Sequence, residues 1–302
     1  MQNSFMGNLP QVQGQYRYNI SLKNFSWFSV GGKAAVLFFP ADLEDLQTFL
    51  QTLDPTIPIF ILGAGSNLLI RDGGFPGVMI KLPSSFDVFE ELDGKAWFGA
   101  SLLDQTISKI AYEKNWEGFE FLSGIPGSLG GALAMNAGCY GRSISDLVLE
   151  VQALNAAGDT IILKKEDFNF SYRKNSLKEP YFFIKALLTC QTGNRSSIEA
   201  ERNKIQQERV QSQPVKGYKT GGSTFKNPPE LSAWKLIDEA GCRGLQLGDA
   251  EVSPLHCNFF INKGKASAKD LEDLIKLVEK RVFDKSGIKL ERELVILGQE
   301  TC

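Results

Sequence analysis

Residues 118–141 read GFEFLSGIPGSLGGALAMNAGCYG and constrain the fold more than any other stretch. Ser128-Leu129-Gly130-Gly131-Ala132 has almost no side-chain bulk, so a helix starting there lets another backbone or a ligand come close. A helix start also offers N–H groups that suit an anion. Such density serves a tight helix crossing equally well, and this stretch alone does not separate the two readings. A second glycine-rich turn, Leu62-Gly63-Ala64-Gly65-Ser66-Asn67-Leu68, adds to the case. Together the two loops suggest two walls around one phosphate-bearing ligand.

Composition narrows the class. The chain has 302 residues, 43% hydrophobic and 23% charged, which is ordinary for globular domains and long enough for two or three cores. The net charge of −2 gives no electrostatic case for nucleic acid. No apolar run reaches the ~18–20 residues that span a membrane, and no signal-peptide pattern opens the chain. Cys139, Cys190, Cys242, Cys257 and Cys302 are scattered without a CxxC pair, so neither a zinc site nor a disulfide framework is expected, and no metal is assigned. One histidine, His256, leaves no multi-His site or Ser-His-Asp triad.

Residues 1–25 are polar and read as a loose arm. A strand is expected over 35–39, a helix on Leu43, Leu46 and Leu50, and a short strand at 58–62. A Rossmann fingerprint needs a third glycine and a helix after the second turn. Here Leu68 takes that position, and 68–71 and 78–81 look like strands, so the 63–68 loop reads as a strand-to-strand nest of amides or a plain hairpin turn. Leu103, Ile107, Ile110 and Ala111 mark a helical face. Strands follow over 147–154, 160–163 and 181–189. The charged stretch 191–213, with Ile198 and Ile205 seven apart, reads as an exposed linker helix. Beyond it, Ser267 and Asp270 can form a capping box for a helix whose apolar face is Leu271, Leu274, Ile275 and Val278, ended by Gly287. A last strand over 290–297 alternates Leu290, Leu294 and Ile296 against Glu291 and Glu293.

Three polar residues are candidates for chemistry. Arg173 lies in a loop, within reach of an anion or simply at the surface. Ser223 follows two glycines and is either a helix cap or a positioned proton donor; no histidine base is near it in sequence. Glu293 shares its strand face with apolar residues, and if buried it needs a partner. Spacing alone does not bring the three together.

At these residues the chain resembles the UDP-N-acetylenolpyruvoylglucosamine reductases from about Phe25 to Leu297. The motifs are Leu62-Gly63-Ala64-Gly65-Ser66-Asn67-Leu68-Leu69, Gly124-Ile125-Pro126-Gly127-Ser128-Leu129-Gly130-Gly131-Ala132 with Met135-Asn136-Ala137-Gly138 and Tyr140-Gly141, Ser171-Tyr172-Arg173, Gly222-Ser223-Thr224-Phe225-Lys226-Asn227-Pro228, and Leu290-Glu291-Arg292-Glu293-Leu294. The resemblance implies an α+β fold: a two-part FAD-binding domain of the vanillyl-alcohol-oxidase (PCMH) type, then a C-terminal α+β substrate-binding domain. The expected division is an arm over 1–25, an FAD domain over 26–190 with lobes of about 26–81 and 82–190, a linker helix over 191–213, and a substrate domain over 214–302 whose last strand returns to the FAD site.

Carried over residue by residue, Gly63, Ala64, Gly65, Ser66, Asn67, Leu68, Gly124, Ile125, Pro126, Gly127, Ser128, Gly131, Ala132, Asn136 and Gly138 would hold FAD. Tyr140, Tyr172, Lys226 and Asn227 would contact substrate. Ser223 would be the proton donor, with Arg173 and Glu293 stabilising an enolic intermediate. The implied reaction is reduction of a UDP-N-acetylglucosamine enolpyruvate by NADPH through non-covalent FAD, giving UDP-N-acetylmuramate for peptidoglycan precursors. A cytoplasmic monomer is expected, with no nucleic-acid partner and no membrane insertion. The short stretch between Thr189 and Ser223 matches the subclass without an extra tyrosine-bearing loop. Where the family often has a linker lysine this chain has Ser212, with Lys216 and Lys219 nearby, and Cys257-Asn258 stand where small residues are usual. The alternatives are another non-covalent FAD oxidoreductase of this fold acting on a sugar or alcohol, or a nucleotide-binding module without catalysis.

Overall fold

A computed structural model describes residues 4–214 and 217–301. The chain forms two compact units, each built from separate segments. The first holds Met1–Arg17, Val36–Ala64 and Gly77–Gln207; the second holds Tyr18–Ala35, Gly65–Pro76 and Glu208–Cys302. The polar stretch expected as a loose arm is ordered: it contains the strand Gln15–Ser21 and 3-10 turns at Ser4–Asn8 and Leu22–Phe25, and Leu22 is fully buried. That strand presents mostly exposed side chains, so no apolar alternation marks it in the sequence.

In the first unit, helix α1 (Leu43–Thr52) starts at Asp42, whose carboxylate accepts from the Asp45 amide. Its face of Leu46, Phe49 and Leu50 packs on Val36, Phe38, Val78 and Ile80. The strand Ile59–Ile61 runs parallel to Phe75–Ile80, with Ile59 opposite Val78 and Ile61 opposite Ile80. The chain after Ile61 turns into another strand, Leu68–Ile70, as its pattern indicates, and no helix follows the loop as a dinucleotide fold would require.

An antiparallel five-stranded sheet forms the rest of this unit, in the order Thr160–Lys164, Val148–Leu154, Phe182–Thr189, Lys95–Gly99, Phe89–Leu92. Helices α2 (Asp104–Glu113) and α3 (Leu129–Met135) share its core with Phe98, Phe119, Val151 and Leu188. Leu103, expected on the buried face of α2, is instead its N-cap and half exposed, because the helix begins one residue later. Helix α4 (Arg195–Ser212) buries Ile198 and Ile205 and leaves Val210 exposed.

The second unit packs α5 (Ala233–Glu239) and α6 (Ala268–Ser286) around the antiparallel sheet Gln246–Leu247, Ala250–Val252, Phe260–Asn262. The Ser267/Asp270 capping box and the left-handed Gly287 end α6 as expected. Asp72 adds to this start by accepting from the Ala268 and Lys269 amides at 3.1 and 3.0 Å. One turn on, Arg71 pairs with Glu272 through two hydrogen bonds of 2.8 and 2.9 Å, which with Lys276 hold the Glu272 carboxyl down to about 2. The last strand is shorter than its alternation suggests. Val295–Leu297 runs parallel to Leu68–Ile70, while residues before it meet Phe225 through a single bridge at Arg292.

One buried polar group stands out. Asp104 is fully buried in the first turn of α2, and neither of its carboxyl oxygens meets a hydrogen-bond partner among the described residues. Burial pushes its carboxyl up to about 8, so the folded protein keeps it neutral at pH 7. Between the unfolded value near 4 and that raised value, the folded state holds a proton that the unfolded chain has lost. Stability therefore falls as pH rises through this window, by up to about 1.4 kcal/mol per pH unit, and levels off above it. Replacing Asp104→Asn is expected to flatten that stretch of the curve of thermal unfolding against pH. An unchanged slope would show that Asp104 is not the group responsible.

Candidate active site

The turn after Ile61 and the start of α3 face each other within the first unit. A Cβ placed on Gly63 would lie 2.9 Å from the Ser128 hydroxyl oxygen. Between them opens a cavity of about 140 Å³, bordered by Gly63, Lys81, Ser101, Ser128, Gly130 and Gly131 among others. The helix start is not bare, as its composition alone suggests. Leu129 N–H donates to the Leu102 carbonyl at 2.9 Å and Gly130 N–H to the Ala100 carbonyl at 2.8 Å. Residues 100–102 thus take two amides of the first turn, and Gly130 is small because a Cβ there would sit 3.1 Å from the Ala100 oxygen.

Gly131 differs. A Cβ on it would meet no protein atom nearer than the Ser128 hydroxyl at 3.7 Å, yet it lines the cavity. Protein packing does not require a glycine there, and glycine costs a helix about 1 kcal/mol relative to alanine. What the missing side chain leaves is room in the cavity. Ile125, Pro126 and Gly127 are half-buried in the approach to this helix, while Gly124 and Ala132 are buried. Lys81, which the sequence reading missed, closes the opposite side: its ammonium donates to the Gly63 carbonyl at 2.6 Å. Partial burial lowers its pKa, so an anion in the cavity would be a favourable neighbour. As one charge at the end of an apolar strand, it carries no sequence signal of its own.

Arg173 sits at the tip of a tight turn in the same unit, where Ser171 N–H donates to the Lys174 carbonyl and Lys174 N–H to the Ser171 carbonyl. Its φ of 56° lies in the left-handed region, which a long side chain seldom adopts. Residues in such conformations gather at functional sites. Its guanidinium lies over the Tyr172 ring, 5.3 Å from the centroid. The turn is fastened to the end of α3: Asn136 Nδ2 donates to the Ser171 carbonyl at 2.9 Å, and Asn175 Nδ2 to the Ala134 carbonyl at 2.8 Å. Asn136 also accepts from the Ser145 amide, so its side chain serves the protein's own loops. Gly138 answers to packing as well, since a Cβ there would lie 2.3 Å from the Arg142 oxygen. Tyr140 is exposed, with its hydroxyl 3.4 Å from the Ile205 carbonyl.

The second unit holds the other part of the 63–68 loop. Gly65 has φ of 70°, and a Cβ on it would lie 1.9 Å from the Phe25 carbonyl oxygen. Its glycine is imposed by the fold, and Trp27 N–H donates to its carbonyl at 3.1 Å. Ser66 is half-buried, as is Ala64, the last residue of the first unit's segment, and Ser26 fixes Leu68 through a 2.9 Å hydrogen bond to its carbonyl. Asn67 Nδ2 donates to the Glu293 carbonyl at 3.1 Å.

Ser223 and Glu293 lie on adjoining segments of this unit. Ser223 bridges Phe259, and Glu293 N–H donates to the carbonyl of Thr224 at 2.9 Å. Both side chains are half-buried. Lys226 pairs with Glu291 at 2.5 Å, and Asn227 accepts from the Ala233 amide at the start of α5. Lys219 is exposed beside Asn262. Lys216 lies outside the described residues. Arg173, Tyr172 and Tyr140 thus belong to one unit, and Ser223, Lys226, Asn227 and Glu293 to the other.

Comparison with known proteins bears on this arrangement. Residues 34–164 match a family model described as an FAD binding domain, and residues 213–297 match the UDP-N-acetylenolpyruvoylglucosamine reductase C-terminal domain. The chain is 47% identical over 290 residues to the UDP-N-acetylenolpyruvoylglucosamine reductase of Paramagnetospirillum magneticum, covering 96% of this chain and 94% of that one. It is 45% identical over 293 residues to the enzyme of the same name from Rickettsia bellii, covering 97% of each. Among solved structures, the UDP-N-acetylenolpyruvylglucosamine reductase from Thermus caldophilus superposes with a TM-score of 0.81 at 32% identity, over 95% of this chain and all of that one. With the motifs ordered along both units and this match across nearly the full length, the chain belongs to the UDP-N-acetylenolpyruvoylglucosamine reductase family.

Proposed function

We propose that this protein binds FAD without a covalent bond and uses NADPH to reduce the enolpyruvyl group of UDP-N-acetylglucosamine enolpyruvate, giving UDP-N-acetylmuramate for peptidoglycan precursors. The observation that carries the reading is Gly131, a helical glycine that lines the cavity and that protein packing does not demand. The donor set fits the cofactor: the Ser128 hydroxyl and the Lys81 ammonium on the cavity wall suit phosphate oxygens. Covalent flavin attachment uses His or Cys, and the 63–68 loop contains neither. Bound there, FAD supplies a hydride carrier between NADPH and the alkene.

The chain's own residues handle charge and proton. Hydride addition to the alkene develops negative charge on the neighbouring carbon and its carboxylate. The Arg173 guanidinium can pair with that carboxylate through two hydrogen bonds. Ser223 gives its hydroxyl proton to the carbanion-like carbon; a hydroxyl is a weak acid, but that centre is a strong base. Glu293 orients the enol. Tyr140, Tyr172, Lys226 and Asn227 are the proposed substrate contacts. No helix among the described residues is long and apolar enough to cross a membrane, and a cytoplasmic monomer is part of this reading.

Two outcomes are expected. Replacing Gly131→Ala leaves thermal stability of the apo-protein unchanged or raises it, by up to about 1 kcal/mol, while weakening FAD binding. Equal FAD affinity in variant and parent, by flavin titration, would remove Gly131 from the cofactor site. Replacing Ser223→Ala slows transfer from pre-reduced enzyme to the enolpyruvyl sugar by about 10²–10⁴-fold, or roughly 3–5 kcal/mol of barrier. Flavin reduction by NADPH should keep its rate, since it needs no such proton. Equal slowing of both halves in single-turnover measurements would mark Ser223 as structural.

A further inference from the structure

Residues 223–226, which carry the proposed proton donor, run between two neighbouring segments without belonging to a continuous sheet. On one side, Glu293 N–H and Leu294 N–H donate to the Thr224 carbonyl at 2.9 and 3.2 Å, and Lys226 N–H donates to the Glu291 carbonyl at 2.8 Å. On the other side, Thr224 N–H donates to the Asn258 carbonyl at 2.8 Å. A regular ladder would next pair Phe225 with main chain. It does not, because the chain turns back there: Phe259 N–H donates to the His256 carbonyl.

The side chain of Asn258 fills the gap. Its Oδ1 accepts from Phe225 N–H at 2.9 Å and its Nδ2 donates to the Phe225 carbonyl at 2.8 Å. A carboxamide presents one acceptor and one donor side by side, the pair that a strand edge would offer. Asn258 is 4% exposed and Phe225 1%, so water cannot replace these bonds without opening the core. Asn258 is itself held, since its N–H donates to His256 Nδ1 at 3.3 Å. Burial lowers the His256 pKa, in keeping with a neutral ring that accepts there.

We propose that Asn258 is a positioning residue for proton transfer: it fixes the Phe225 main chain and so sets where the Ser223 hydroxyl points, two residues earlier. The same rung reaches Glu293, whose amide is tied to Thr224. This inference rests on Ser223 being the donor. Misplacing a catalytic group by about 1 Å costs about 10²-fold when the geometry of the reacting atoms is tight.

The test compares Asn258→Ala, Asn258→Asp, Ser223→Ala and the Ser223→Ala/Asn258→Ala double variant in FAD-loaded enzyme, by single turnover. Asn258→Ala should slow the second half-reaction by about 10–100-fold while NADPH reduces the flavin at the parent rate, which also verifies folding. The double variant should be no slower than Ser223→Ala, because without a donor its position no longer matters. Asn258→Asp, nearly isosteric, keeps the test open if the alanine variant fails to fold. Its rate relative to the parent should rise as pH falls, since only a protonated carboxyl can both accept from and donate to Phe225. The parent shares His256, so the ratio removes that residue's titration. If Ser223→Ala is slow but Asn258→Ala keeps the parent rate, or if the two losses simply add, Asn258 does not position the donor. If Ser223→Ala itself runs at the parent rate, the donor reading fails and this inference fails with it.

Discussion

The first unit depends on the closeness of two backbones. The amides of Leu129 and Gly130 reach the carbonyls of Leu102 and Ala100, and that contact is possible because residues 128–132 carry so little side chain. It fixes the start of α3, and the start of α3 fixes Ser128 and Gly131 on the cavity wall. The far end of the same helix anchors the Arg173 turn through Asn136 and Asn175. One short helix therefore carries both a wall of the proposed cofactor cavity and the loop of a proposed catalytic cation.

The second unit solves a related problem differently. Its segment around Ser223 is irregular, and irregular buried backbone must find partners for its polar groups. Asn258 on one side and residues 291–294 on the other supply them. The outcome is a hydrogen-bonded support for the half-buried side chains of Ser223 and Glu293, the proposed proton donor and its partner, with Asn67 adding a bond to the Glu293 carbonyl. A support of this kind suits chemistry in which a weak acid must meet a short-lived strong base.

Much of this was legible in the chain. The apolar faces of α1, α4 and α6 and the caps of α6 follow from local spacing, which burial then enforces. The strand after the 63–68 loop was legible because Leu68-Leu69-Ile70 lacks helical spacing. What local pattern did not show was tertiary. Gly65 is expected at the cofactor, and the fold adds a separate reason for its glycine, since a Cβ there would meet the Phe25 carbonyl. The strand Gln15–Ser21 lacks apolar alternation because its side chains are mostly exposed. Lys81 and Asn258 owe their roles to residues distant in sequence, Gly63 for one and Phe225 for the other, so no nearby spacing could reveal them. The two-unit division interleaves segments that a linear domain reading keeps apart.

The reaction proposed for this chain is reduction of an enolpyruvyl UDP-sugar by NADPH through bound FAD. The most direct measurement is NADPH consumption by the FAD-loaded protein with and without UDP-N-acetylglucosamine enolpyruvate. The account predicts one NADPH oxidised per sugar reduced, and little oxidation beyond reduction of the bound flavin when the sugar is left out. Oxidation at the same rate without the sugar, or sugar left unreduced while NADPH is consumed, would contradict it.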